Sequence, residues 1–436
     1  MDILIKILQF VLSFSLLVIV HECGHFIFAK IFHVRVEQFH LFFGRPWVKW
    51  HWGETEYGIG WIPFGGFVKL AGMIDESLDT EQLKREPQPW EFRTKPAWQR
   101  LLIMIGGVVM NVILAFVIYV AMSYTWGDRY ISNQNMPYGY AFNQMAEELG
   151  FRDGDHIVSI GGQPIDDYAQ IMTSLLIDDD KTTVVERDGS RVTLQIPVQS
   201  VVKLAEQSDF ILPRYPFVVG EVLEGSGAAE GGLRSGDKLI GIDHREARFF
   251  DQYQTLFDDA AGRTVELAVL RGVDTLLLSV NVSDAGKIGV TVDSSGVVEV
   301  CTRQYTLLQA IPAGFHRVGV EIGDYWKQLK MIVQPKTEMY KALGGPLSIG
   351  SIFPSEWNWE YFWRITALLS VVLAVMNILP IPALDGGHVL FLLVEVVTRR
   401  RPSDRFLTIA QTIGMLLLFA LMIYATWNDI VRLFIR

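Results

Sequence analysis

At 436 residues the chain has room for roughly two to four domains, and a 50% hydrophobic content with 20% charged residues is high for a soluble protein of that length. Its net charge of −10 argues against nucleic acid as a partner. Two cysteines, Cys23 and Cys301, exclude a disulfide framework.

The first segment, 1–33, holds an apolar run from Ile3 to Val20 that continues through Phe32, close to the ~20 residues needed to cross ~30 Å of hydrocarbon. It has no strongly basic start and no small-residue cleavage site, so it is expected to be retained as the first of four spans. His21, Glu22 and His25 sit inside it, where ionisable groups are costly and therefore point to function. In the pattern His-Glu-x-x-His the two imidazoles are four apart on one helix face and reach one metal. Neutral imidazoles suit zinc, and a catalytic zinc keeps an open position for water. Glu22 is then placed to act as general base when that water attacks a peptide carbonyl. A third ligand must come from elsewhere in the chain.

Residues 34–96 alternate aromatic and small residues, with turn signals at Gly44, Gly53 and Gly65-Gly66, and read as short strands and hairpins. Non-helical backbone this apolar beside a span is tolerated where protein covers it or it lines a cavity, so a re-entrant β-hairpin region is expected. The segment from Lys30 to Arg100 is rich in Lys and Arg, Lys84 and Arg85 among them, and the short link "TRRRPSDR" is basic too. Both belong on the cytoplasmic side. His33, His40 and His51 share no spacing with the metal pair and read as structural.

The second span is 97–126. Gly107 and Asn111, four apart within it, read as a helix-packing pair, a place near the metal being the lesser reading. Residues 127–300 carry 28 Asp and Glu against 14 Lys and Arg, which puts the acidity of the chain in an outer region. An internal repeat runs through it: Gly150, Gly154 and Asp155 align with Gly232, Gly236 and Asp237. Each copy has a Gly-x-Arg-x-Gly-Asp turn, a short apolar strand and a segment of helical potential. The two copies, 127–215 and 216–302, resemble PDZ domains, which bind extended peptides by strand addition. A plainer alternative is a pair of small α+β spacers or plugs.

Residues 303–358 are too polar to span and too apolar to be a linker, so they are expected to lie along the outer membrane face or to pack on the spans. The third span, 359–400, holds "NILPIPALDGGH". Asp385 there has no basic neighbour before Arg399 and is the expected third ligand. Pro380 and Pro382 break the helix, Gly386 and Gly387 permit a sharp turn, and Asn377 could hold a substrate backbone or an oxyanion. His388 is a weaker candidate ligand, and Glu395 reads as a solvated cap. The fourth span is 401–436.

Taken together, "HECGH", "GGVVMN", the paired outer modules and "NILPIPALDGGH" resemble the site-2 protease family of intramembrane zinc metalloproteases, in its regulator of sigma-E protease branch with two PDZ domains. The resemblance implies a mostly α-helical membrane protein with four transmembrane helices, the re-entrant β-hairpin and two inserted α+β PDZ-like domains. It implies Zn2+ held by His21, His25 and Asp385, with Glu22 as general base. Asn377, Pro380 and Pro382 would belong to a substrate-handling loop, and an inner hairpin with Gly58, Gly60, Gly65 and Gly66 would offer an edge to an unwound substrate. Implied substrates are single-span membrane proteins: an anti-sigma factor already shortened outside, and remnant signal peptides. The implied site is the bacterial inner membrane, with the PDZ pair in the periplasm as a size filter and the active site toward the cytoplasm. A rival reading, a metal-dependent scaffold, requires Glu22 to be dispensable.

Overall fold

The computed structural model describes residues 2–73, 86–200, 204, 209–293 and 299–434. Lys84, Arg85 and short parts of the expected segments 34–96, 127–215, 216–302 and 401–436 lie outside the described residues. The chain divides into two compact units, Met1–Asp128 with Gln304–Arg436, and Arg129–Arg303.

The first unit begins with α1 (Asp2–Ile31), an unbroken 30-residue helix with Lys30 in its last turn. Four strands follow: β1 (Val36–Phe43), β2 (Val48–Trp52), β3 (Thr55–Ile59) and β4 (Ile62–Leu70). Their order is β2-β3-β1-β4, with β1 and β3 parallel and the other pairs antiparallel. The expected strands are thus one small mixed sheet, and β4 is an edge strand. Phe26 of α1 packs against Phe39 and Tyr57 of the sheet, with ring centroids 5.7 and 6.3 Å apart. Ala29, Val36, Leu70 and Ile103 share one core, which locks the sheet to α1 and to α2 (Ala97–Thr125).

In the second unit the sequence repeat is a structural repeat. The first copy has β5 (His156–Ile160), β6 (Gln163–Pro164), α3 (Tyr168–Ile177), β7 (Thr182–Arg187) and β8 (Ser190–Gln195), in sheet order β8-β7-β5-β6. The second has β9 (Lys238–Ile242), β10 (Arg245–Glu246), α4 (Phe250–Asp259), β11 (Thr264–Arg271) and β12 (Asp274–Asn281), in the matching order β12-β11-β9-β10. Each has its own core, around Phe151, Ile157 and Val185 in one and Phe217, Leu239 and Leu267 in the other. The repeated Asp of the turn motif is fully buried in both. Arg187 grips Asp155, and Arg271 grips Asp237, through paired 2.7 Å contacts. The same arginines donate to the carbonyls of Gly150 and Gly232. The motif therefore ties a turn to the far end of a strand; its role is structural.

The first unit resumes with α5 (Leu307–Val333), whose Val318 shares a core with Tyr119 of α2 and Val371 of α6 (Trp359–Ile378). This helix packs on α2 and α6 through that shared core. α6 stops at Ile378, α7 (Asp385–Thr398) follows after a break, and α8 (Asp404–Phe434) ends the unit. The expected third span of 359–400 is therefore two helices, separated because Pro380 and Pro382 lack the N–H groups that a continuing helix needs. Among the described residues, α1, α2, α6 and α8 are the four helices long and apolar enough to cross a membrane. The helical share is 49%, so "mostly α-helical" is corrected to a mixed helix and sheet content, the strands coming from the repeats and the inner sheet.

Candidate metal centre

α1 runs straight through His21 and His25, so one helical turn carries both rings to the same face. Both are buried, as is the α2 surface against them. That contact depends on Gly107: a Cβ there would stand 2.6 Å from His21 Cε1 and from His25 Nε2. Asp385 is the first residue of α7, where the helix dipole favours a carboxylate. Gly387 allows this helix to start so close to the preceding loop, since a Cβ there would lie 2.6 Å from the Ile381 carbonyl. Neither Gly386 nor Gly387 has positive φ, so the expected sharp turn is instead a close approach. The left-handed residue is Ala383, at φ 79°, with its amide donating to Gln411 Oε1 of α8 at 3.2 Å.

Three ligand atoms converge. His21 Nε2 and His25 Nε2 are 3.2 Å apart, and Asp385 Oδ2 lies 3.1 and 3.4 Å from them. Ligands bound at about 2.0–2.1 Å to a tetrahedral ion stand roughly 3.3 Å from one another, so the spacing fits a metal. Asp385 Oδ2 is buried and takes part in no hydrogen bond, which is the condition of an oxygen waiting for a cation. His25 Nδ1 donates to the Ile103 carbonyl at 2.9 Å, leaving its Nε2 lone pair toward the cluster. Among the described residues this is the one group of three such side chains that could hold a metal ion.

A cavity of about 450 Å³ opens on the cluster, lined also by Glu22, Asn377, Gly66, Val68 and Gln411. Asn377 Nδ2 is 3.3 Å from His21 Nε2. Gly66 and its neighbours to Leu70 bring β4, the sheet edge, along one side of the cavity. Gly58 and Gly65 lie in β3 and β4 and Gly60 in the link between them, all off the lining, and Pro380 and Pro382 shape the loop without reaching the cavity. His388 lines the cavity without joining the three ligands. Glu395 is not a solvated cap: it pairs at 2.5 Å with Arg100, both side chains largely buried.

Sequence reasoning set Asn111 aside as a packing residue and overlooked Gln411. Asn111 is fully buried, 3.2 Å from His21 Nδ1. In both cases the available signal was an amide inside an apolar helix, which requires a partner.

The family model for peptidase family M50 matches residues 9–421. The chain belongs to peptidase family M50, the site-2 proteases. It is a metalloendopeptidase. Relatives extend over nearly the whole of this M50 peptidase. The regulator of sigma-E protease RseP of Salmonella typhimurium is 29% identical, covering 99% of this chain and 100% of the relative. A protein named as a candidate zinc metalloprotease from Clostridium perfringens is 28% identical, with 96% and 97% covered. Another from Neisseria meningitidis is 25% identical, with 98% and 99% covered. Together with the four apolar helices, they make this a multi-pass membrane protein.

Proposed function

We propose that this M50 peptidase uses zinc to hydrolyse peptide bonds inside the membrane, within the apolar helix of single-span proteins. The observation that carries the reading is the meeting of His21, His25 and Asp385 in a cavity shared with Glu22. Those three side chains would hold the ion. When bound, zinc supplies a Lewis acid and lowers the pKa of its water toward about 7. Glu22 takes the proton of the attacking water and returns it to the leaving amine nitrogen. Asn377 offers its amide to the developing oxyanion. Pro380 and Pro382 hold the loop between Asn377 and Asp385 away from helix. The edge of β4 at Gly65 and Gly66 pairs with an unwound stretch of substrate, with Gly58 in β3 and Gly60 in the link between strands forming the rest of the hairpin.

The wider reading follows the resemblance and the relatives' names. The substrates are an anti-sigma factor after a first periplasmic cut, and remnant signal peptides. The segments 127–215 and 216–302 act as periplasmic PDZ-like domains that touch peptides and exclude uncut substrates. The 34–96 segment, with its many Lys and Arg, dips into the bilayer from the cytoplasmic side of the bacterial inner membrane, and 303–358 lies at its outer face, on the distribution of Lys and Arg.

The test is cleavage of a model single-span substrate by the purified protein in detergent. Stripping the metal with a chelator abolishes cleavage, and one equivalent of zinc restores it. Leu substitutions that stabilise the substrate helix around the scissile bond slow cleavage. Cleavage indifferent to chelator would remove the metal from the mechanism, and rates indifferent to helix stability would remove unwinding.

A further inference from the structure

We propose that Asn111 is a positioning residue for His21: turned so that Oδ1 faces the ring, its carboxamide accepts the Nδ1 proton and leaves Nε2 a lone pair for the metal. The inference rests on His21 being a metal ligand. A neutral imidazole has one N–H and one lone pair, so a ring that binds metal through Nε2 must carry its proton on Nδ1 and needs an acceptor there. His25 has one in the Ile103 carbonyl, which can only accept. His21 has Asn111 alone at its Nδ1, 3.2 Å away, and the atom facing the ring is Nδ2.

In that orientation Nδ1 could only accept, which would leave the ring proton to Nε2, the atom 3.2 Å from His25 Nε2. The proton then occupies the lone pair that a metal requires. Meanwhile Asn111 Oδ1 is buried without a hydrogen-bond partner, and the residue is wholly inaccessible. A half-turn of the carboxamide exchanges its oxygen and nitrogen with almost no change in shape. Oδ1 then meets Nδ1–H at the same 3.2 Å, and the Nε2 lone pair turns to the cluster. The backbone needs no change, because the Asn111 carbonyl stays bound to Ser370 Oγ at 2.8 Å. An amide serves both ring tautomers at this position; a carboxylate serves only the metal-binding one, and an apolar side chain serves neither.

The experiment measures zinc affinity of the full-length protein in detergent by competition with a chromogenic chelator, and the visible spectrum of its Co2+ form. Asn111→Leu should weaken zinc by about 10- to 100-fold and lower the intensity of the tetrahedral Co2+ bands. Asn111→Asp should stay within a few-fold of wild type in both. Ser370→Ala, which touches only the backbone bond of Asn111, should change neither. Equal affinities for the Leu variant and wild type would overturn the proposal, as would Leu and Asp variants weakened alike, the result of a packing role. If wild type binds no more zinc than His21→Ala, the metal reading itself fails and the proposal with it.

Discussion

Asp237 shows how a residue can be conspicuous in sequence and still be structural. The Gly-x-Arg-x-Gly-Asp turn was legible as a repeat, but its partner Arg271 is 34 residues away and no local pattern connects them. The carboxylate accepts from Arg271 twice and from the Arg234 amide, while being wholly buried. Removing its charge by Asp237→Asn loses the charged pair with Arg271 and should destabilise the second repeat. Hydrogen exchange across 232–271 in the full protein reads this as lost protection. Hydrogen bonds from Arg271 hold the Asp237 carboxyl below its usual range. A depressed folded pKa stabilises above the unfolded value of about 3.9, and that contribution is lost as pH falls through the folded value. Protection should therefore fall on acidification below about pH 4 in wild type and much less in the Asn variant. At the candidate metal centre, His21, His25 and Asp385 stood out because charge in an apolar run is conspicuous. Asn111, uncharged, was read as packing.

Between elements, the position of α7 matters most, because its first residue is Asp385. Its far end is fixed by the Arg100–Glu395 pair, which joins the start of α2 to the end of α7 across 295 residues. Such a contact cannot be read from a sequence in which Glu395 merely precedes a basic link. Leaving either charge unpaired costs about 3–5 kcal/mol when the pair is buried. Arg100→Ala should thus lower the unfolding temperature in detergent and weaken zinc binding, and Arg100→Ala with Glu395→Ala should recover part of both losses. A single variant matching wild type in both measurements would show the pair to be incidental. Near the C-terminal end of α8, Asp429 is buried and accepts the amides of Gly345, Leu347 and Ser348 at 2.9 to 3.1 Å. It caps the short helix Pro346–Ser351, whose first N–H groups have no partner within the helix. Asp429→Ala should speed amide exchange at Gly345, Leu347 and Ser348, leaving exchange in α2 unchanged; unaltered rates at those three amides would rule out the cap.

For the molecule as a whole, hydropathy separated the two units well. Four apolar runs became four helices of spanning length, and the acidic stretch between them became the unit of repeats. The inner sheet was less legible, because its parallel β1–β3 pairing passes over β2 and no turn signal encodes a crossover. The break before Asp385 was legible from its prolines, as was the helix beyond it that ends near Glu395. The arrangement gives a proteolytic account in which His21, His25, Asp385 and Glu22 each have a task, and Glu22 is the one that ligates nothing. The direct measurement is cleavage of a single-span substrate by wild type and by Glu22→Gln, with bound zinc determined in both. The account predicts equal zinc in the two proteins and cleavage reduced at least about 100-fold in the variant, as expected for loss of a general base. A variant that holds zinc and cuts like wild type would contradict it.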